Sequence, residues 1–363
     1  MLVEMIRSSF TMSKMKPVNS DVFVTEEIVP RVGRQDIEFL RKGIPASSCG
    51  RVRLCSHKLN EDRLHEMFIS FDGSNYVRPS WHVQKDESLH VLEGVADYFF
   101  FDPQGRVMDT VPLGTFRSGH PFYCRIPAGV EHALLIRSEG LEIHEATVGP
   151  FKREDTVFSP WSPAENNTPG VSRFLDSLRR QLRIDRPLLK MKRTAQDVFV
   201  PEEHIVSVGP KEMDILKNAV HGTDRKRVRL CIHKNIENTL HEMFVVYMKM
   251  AYLKPKKHIG RDESLHILEG EADVFFFDDV GNITDAIPLG DYHSCRPFCV
   301  RIPASMYHTV IIRSEMLAVH EATLGPFRRE DTVSAPWAPQ ELDTPEIARF
   351  MSRLRGVAES CAN

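Results

Sequence analysis

Short apolar runs rich in β-branched and aromatic residues recur along the chain, separated by polar turns. HEMFISF from His65, SLHVLEG from Ser88, ADYFFFD from Ala96 and ALLIRS from Ala133 are all of strand length, and such residues fit a pleated, half-buried surface. Asp102-Pro103-Gln104-Gly105 and Asp278-Asp279-Val280-Gly281 supply turn chemistry between runs of this kind. No long helical periodicity alternates with the strands, so the pattern predicts an all-β sandwich or small barrel, not a parallel α/β sheet. Helical patterns are few and short. One lies near residues 37–42. Two more open at Thr168-Pro169 and Thr344-Pro345, where threonine suits the N-cap and proline the first helical position. Val171, Phe174, Leu175 and Leu178, and again Ile347, Phe350, Met351 and Leu354, then fall at helical spacing.

The whole pattern occurs twice. RVRLCSHK at Arg51 returns as RVRLCIHK at Arg227, DESLHVLEG at Asp86 returns at Asp262 with one change, and HEATVGPFKREDTV at His144 returns as HEATLGPFRREDTV at His320, each 176 positions later. Residues 21–163 slide onto 197–339 without a gap, with about half the positions identical. Such self-similarity means two copies of one structural unit. The predicted organisation is a flexible leader at 1–20, a first domain at 21–183, a basic proline-containing linker at 184–196, a second domain at 197–358 and a tail at 359–363.

Composition narrows the function classes. The 363 residues carry a formal net charge of −3, which gives no electrostatic case for nucleic acid. No apolar run approaches a membrane span, and the first residues lack the unbroken apolar stretch of a secretory signal. Seven cysteines is an odd count. Cys55 and Cys231 lie within apolar segments and read as buried thiols, whereas Cys295 and Cys299 have no counterpart pair in the first copy. No disulfide framework follows, and a reducing, cytoplasmic setting is expected.

Each copy carries residue types suited to a divalent metal. His82 precedes Glu87 and Gly94 with the spacing that His258 repeats before Glu263 and Gly270. His82 ends one predicted strand and Glu87 begins the next, so a short loop is expected to make them cross-strand neighbours. IPAGVEH and IPASMYH then place His132 and His308 just past a turn. Two imidazoles and a carboxylate leave open positions suited to Fe, Mn, Ni or Zn ions. A lone His/Glu pair would read as a structural hydrogen bond. Two trios favour a site.

These residues resemble the motifs of the cupin superfamily, whose first motif has H-x-H, then glutamate, then glycine, and whose second has P-x-G-x-x-H. RLCxHK, the LHEM strand, DESLHxLEGxAD, HEATxGPF and REDTVxxPWxP make each half similar to the WbuC family of cupin-fold metalloproteins. The resemblance implies two tandem cupin jelly-roll (double-stranded β-helix) barrels with short accessory helices, and a metal; it implies no settled reaction. One departure stands out. The first histidine of H-x-H is replaced by Ser80 and by Lys256, and the turn glycine Gly129 by Ser305. Lys256 would place an ammonium beside the cation, point instead to solvent, or stand in the cation's place by pairing with Glu263.

Other repeated residues have competing readings. His90 and His266 face away from Glu87 and Glu263 and read as interior histidines hydrogen-bonded between sheets, with support of the metal's ligands from behind as the alternative. One member of His65/Glu66, His144/Glu145 and their counterparts must face inward, so Glu66, His144, Glu242 and His320 are candidate proton-transfer groups or satisfied core groups. Arg125, Arg137, Arg301 and Arg313 read as surface salt bridges, with anion binding the alternative. Trp161 and Trp337 read as clamps of the chain on the barrel. The expected function is a metal-binding bicupin acting on a small polar ligand, a sugar or sugar-derived acid, as an isomerase or epimerase. The alternatives are a non-catalytic binding or sensor module, or an Fe(II)-dependent oxygenase. The first copy is expected to be the more competent, and the copies to pair within the chain or through a homodimer.

Overall fold

The computed structural model describes residues 12–183, 185–341 and 343–362. Each copy folds as a jelly roll of the cupin type, built of two open sheets packed face to face. In the first copy the larger sheet runs Met15–Asn19, Val22–Thr25, Arg51–Cys55, Leu64–Asp72, Gly140–Val148, Glu87–Glu93, Tyr123–Ile126 and Val206–Val208. The smaller runs Thr156–Phe158, Ser80–His82, Glu131–Ile136, Ala96–Phe101 and Val107–Leu113. The second copy repeats this plan, with Arg31–Val32 as the last strand of its large sheet.

Both last strands are exchanged. Val206–Val208 belongs to the second copy in sequence yet pairs with Tyr123–Ile126, with Tyr123 opposite Val208. Reciprocally, Arg31–Val32 pairs with Cys299–Ile302, with Cys299 opposite Val32. The expected pairing within the chain is therefore present, and each copy completes the other's sheet.

Residue alternation divides each large sheet between two burials. Leu89, Val91, Leu141 and Ile143 point between the sheets of their own copy, with Ile69, Phe71 and Tyr98. On the opposite face, Phe68, Val52 and Leu54 meet Phe298 and Tyr292 of the second copy, alongside Ile37 and Leu40 of the helix Arg34–Gly43. Phe122 and Tyr123 likewise meet Val206, Met213, Leu216 and Phe244. Phe68, Phe122, Phe244 and Phe298 are fully buried, and burying a side chain of that size stabilises by about 1.5–3 kcal/mol. The two large sheets thus form the middle layers of a four-sheet stack.

Four sequence expectations change. Met15–Asn19, placed in the leader, is a strand against Val22–Thr25, and Met191–Ala195, placed in the linker, pairs in the same way with Val198–Pro201. Both are exposed edge strands, whose polar outer positions hide the alternation. The rest of the leader, residues 1–11, lies outside the described residues. The helices Thr168–Arg179 and Thr344–Ala362 are capped one residue earlier than expected, where Asn167 accepts the Gly170 N–H and Asp343 the Glu346 N–H, both at 3.1 Å. The second helix also runs into the segment read as a tail. Among the described residues, no helix is long and apolar enough to cross a membrane.

Candidate metal centres

His82 and Glu87 are not neighbours across one ladder, as the short loop suggested. Ser80–His82 lies in the small sheet and Glu87–Glu93 in the large one, so the two side chains meet across the interior between the sheets. His132 arrives from the strand beside Ser80–His82, directly opposite Ser80. The loop is the corner between sheets, and the trio closes all the same. His82 Nε2 is 2.6 Å from Glu87 Oε2, and His132 Nε2 is 3.9 Å from Glu87 Oε1. The ligand atoms of all three lie within 4.8 Å of one another, as do those of His258, Glu263 and His308.

The imidazoles are oriented from behind. His132 Nδ1 donates to the Val130 carbonyl at 2.9 Å, leaving Nε2 as its lone pair. His308 Nδ1 does the same to Met306 at 3.0 Å. His82 Nδ1 is 3.1 Å from Thr156 Oγ1, and His258 Nδ1 is 3.1 Å from Thr332 Oγ1. Fixing one ring nitrogen so that the other faces the ion is how metal-binding histidines are held. Burial opposes charge on Glu87, but His82 and His132 outweigh it and hold the carboxyl at about 2. Burial lowers His82, yet Glu87 more than compensates and leaves it above its usual value. Burial lowers His132. The result is an ionised carboxylate with a neutral imidazole, plus a second imidazole whose proton a cation would displace. This donor set fits a divalent ion.

The surroundings differ between copies. Tyr98 Oη is 3.4 Å from Glu87 Oε1, whereas the second copy has Val274 at that position. Lys256 points inward and donates to Glu263 Oε1 at 3.1 Å. Burial raises Glu263, but Lys256, His258 and His308 hold it far below the carboxylate range. Lys256 thus stands where a cation would, as one of its three sequence readings anticipated. Glu145 and Glu321 face the same interior, two residues along from Thr147 and Thr323, which pair with Glu87 and Glu263. Tyr247 donates to Glu321 at 2.8 Å. Glu145 makes no side-chain hydrogen bond among the described residues and remains partly accessible. Burial and the Glu87 charge raise it to about 7. The sequence named Glu145 only as the neighbour of His144. Its inward parity with Glu87 was the signal that could have found it.

Glu66, His144, Glu242 and His320 are not in these pockets. They lie on the outer face of the large sheets, buried between the copies. Glu242 accepts from Ser88 at 2.6 Å, Tyr123 at 2.8 Å and Arg125 at 3.1 Å, and pairs with His320 at 3.2 Å. Glu66 pairs with His144 at 3.2 Å and Arg301 at 3.4 Å. Arg125 and Arg301 are therefore buried interface cations, not surface ones. Arg137 and Arg313 do make the expected salt bridges, to Asp97 and Asp273. His90 and His266 pack against each other across the interface, with ring centroids 4.4 Å apart and the rings tilted, and not between the sheets of one copy. Trp161 donates to Glu131 at 2.8 Å and packs on Phe101. Cys55 is buried and Cys231 half-buried.

Fold and site together define a two-domain cupin-type protein with a His/Glu/His group able to hold a metal ion in each copy. A family model described as a domain of unknown function, DUF6016, matches residues 35–113 and 210–289, one stretch in each copy. A search of curated proteins finds no match. Among solved structures, the chain is similar to the oxalate decarboxylase–formate complex of Lactobacillus farciminis, with 14% identity, a TM-score of 0.43, and 90% of this chain and 87% of that one covered. It is also similar to a cupin 2 conserved barrel domain protein of Leptotrichia buccalis, with 11% identity, a TM-score of 0.43, and coverage of 77% and 90%. Procruciferin, an 11S globulin of Brassica napus, gives 11%, 0.41, 73% and 77%. Likenesses this distant say nothing about substrate or reaction.

Proposed function

We propose that the chain is a metal-dependent bicupin enzyme that isomerises or epimerises a small polar molecule, a sugar or sugar-derived acid, in its first copy. Both halves are read as WbuC-type units on the motifs quoted above. The observation that carries the reading is the convergence of His82, Glu87 and His132 from two facing sheets, with the unpartnered Glu145 on the same interior face. A divalent ion held by the trio would polarise a carbonyl or hydroxyl oxygen. Glu145 would take a proton from the carbon beside that oxygen and deliver it to the neighbouring carbon, so that carbonyl and hydroxyl exchange places, and Tyr98 would steady the Glu87 carboxylate. In the second copy Lys256 and Tyr247 engage the two corresponding carboxylates, which supports a binding or supporting role there.

The test has two parts. Elemental analysis of reconstituted protein is expected to lose about one equivalent of metal in His132→Ala and none in His308→Ala. Metal-loaded protein is then incubated in D2O with a panel of sugars and sugar acids and followed by NMR. Deuterium wash-in that disappears in Glu145→Gln supports the enzyme. Saturable binding without exchange would replace it with the sensor reading.

A further inference from the structure

The interface between the copies carries its own cluster of imidazoles, on neither candidate centre. His90, His144, His266 and His320 are at most 3% exposed. One ring nitrogen each of His144, His266 and His320 lie within 4.8 Å of one another. The rings of His144 and His266 are 5.6 Å apart, those of His144 and His320 6.2 Å. Buried polar atoms normally find partners, yet Nδ1 of His90, His266 and His320 has none.

Two further observations point to a cation. His144 Nε2 is held by Glu66 and His320 Nε2 by Glu242, each at 3.2 Å. A carboxylate behind an imidazole fixes the proton on that nitrogen and leaves the other as a lone pair, the arrangement that supports metal-bound histidine. A cleft of about 20 Å³ between the copies is lined by His90, His266, Thr115, Phe116 and Tyr292 and opens beside one of the three imidazoles, His266. It has room for one water beside His266.

We infer that His144, His266 and His320 form a third metal site, lying across the interface and selective for a zinc-like cation that prefers imidazole nitrogen. Glu66 and Glu242 orient its ligands, and His90 packs against it. Three imidazoles and a water make a tetrahedral set for Zn(II). Because one ligand comes from the first copy and two from the second, the ion ties the halves together.

The test uses the full chain carrying His132→Ala and His308→Ala, which empties the two candidate centres. After reconstitution with Zn(II) this double variant is expected to retain about one equivalent, and with Co(II) to show tetrahedral ligand-field absorption. Adding His266→Ala should weaken Zn(II) binding on the order of 100-fold or more, with near-ultraviolet circular dichroism confirming the fold. His320→Gln provides a second, less disruptive loss of a ligand. A double variant that binds no Zn(II), or a folded His266→Ala derivative that keeps its full equivalent, overturns the site. Wild-type metal that survives His132→Ala but not His266→Ala would remove the first-copy centre and leave this one.

Discussion

The two copies bring the same three ligand types to the same place and then surround them differently. In the first, Ser80 stands beside His132, Tyr98 approaches Glu87, and Glu145 is free. In the second, Lys256 lies on Glu263 and Tyr247 on Glu321. Glu145, open in the first copy, has its counterpart occupied in the second, and Glu263 holds an ammonium that Glu87 lacks. The ligand trio therefore says where an ion can sit, and its immediate neighbours decide whether one is needed. An ammonium already neutralising Glu263 removes most of the electrostatic incentive for a metal.

The largest expected asymmetry is in the interface arginines. Arg125→Ala strands Glu242, fully buried and holding four partners, and should cost about 3–5 kcal/mol in urea unfolding. Arg301→Ala should cost clearly less, because its contact with Glu66 is longer, 3.4 Å against 3.1 Å for Arg125 and Glu242. Equal losses would show that the two sides are energetically alike. Next, Lys256→Ser in a His132→Ala background should tighten metal binding in the second copy on the order of 100-fold, about 2.7 kcal/mol. Isothermal titration showing no equivalent beyond the parent's would mean that Lys256 is not what disfavours metal there.

A pH dependence separates Asp97 from Asp273. Burial raises Asp97 from 3.8 to about 6, against the pull of Arg137. Between those values the folded chain holds a proton that the unfolded chain has released. Stability should therefore fall as pH rises through that window and stay lower above it. Asp97→Asn should flatten this limb, by about 2 kcal/mol between pH 4 and pH 7. Burial also raises Asp273, but Arg313 hydrogen-bonds it, so Asp273→Asn should flatten less. The smallest effect is local. Ser305 has φ 68° where Gly129 has 78°, a left-handed conformation costly for a side chain. Ser305→Gly should stabilise by about 1 kcal/mol and Gly129→Ser destabilise similarly. A Cβ at Gly129 meets nothing within 4 Å, so any change there reflects backbone strain alone.

The trios were legible because a fixed spacing occurs twice and both members of each motif point inward. The interface was not. Parity shows that His90 and His144 face away from Glu87, but not what covers that face. A signal was present: SLHVLE in Glu87–Glu93 is buried at nearly every position, the mark of a sheet covered on both sides. Read that way, Glu66, His144 and Arg125 would have been assigned to a second buried layer instead of a pocket or the surface. The exchanged strands were beyond reach, since two or three residues such as Arg31–Val32 carry no periodicity.

That exchange has a consequence for how the chain is made. The sheet of the first copy cannot be finished until residues near 208 have been synthesised, and the strand at Arg31–Val32 waits for its partner near 300. Contacts so distant along the chain close slowly. During translation the nascent first copy presents an unpaired edge at Tyr123–Ile126, and two such chains on one message could satisfy each other's edges. The exposed, polar strand before each copy and the short length of the exchanged ones limit that hazard. A gene cut at the repeat boundary should yield halves that associate, each supplying the strand the other lacks.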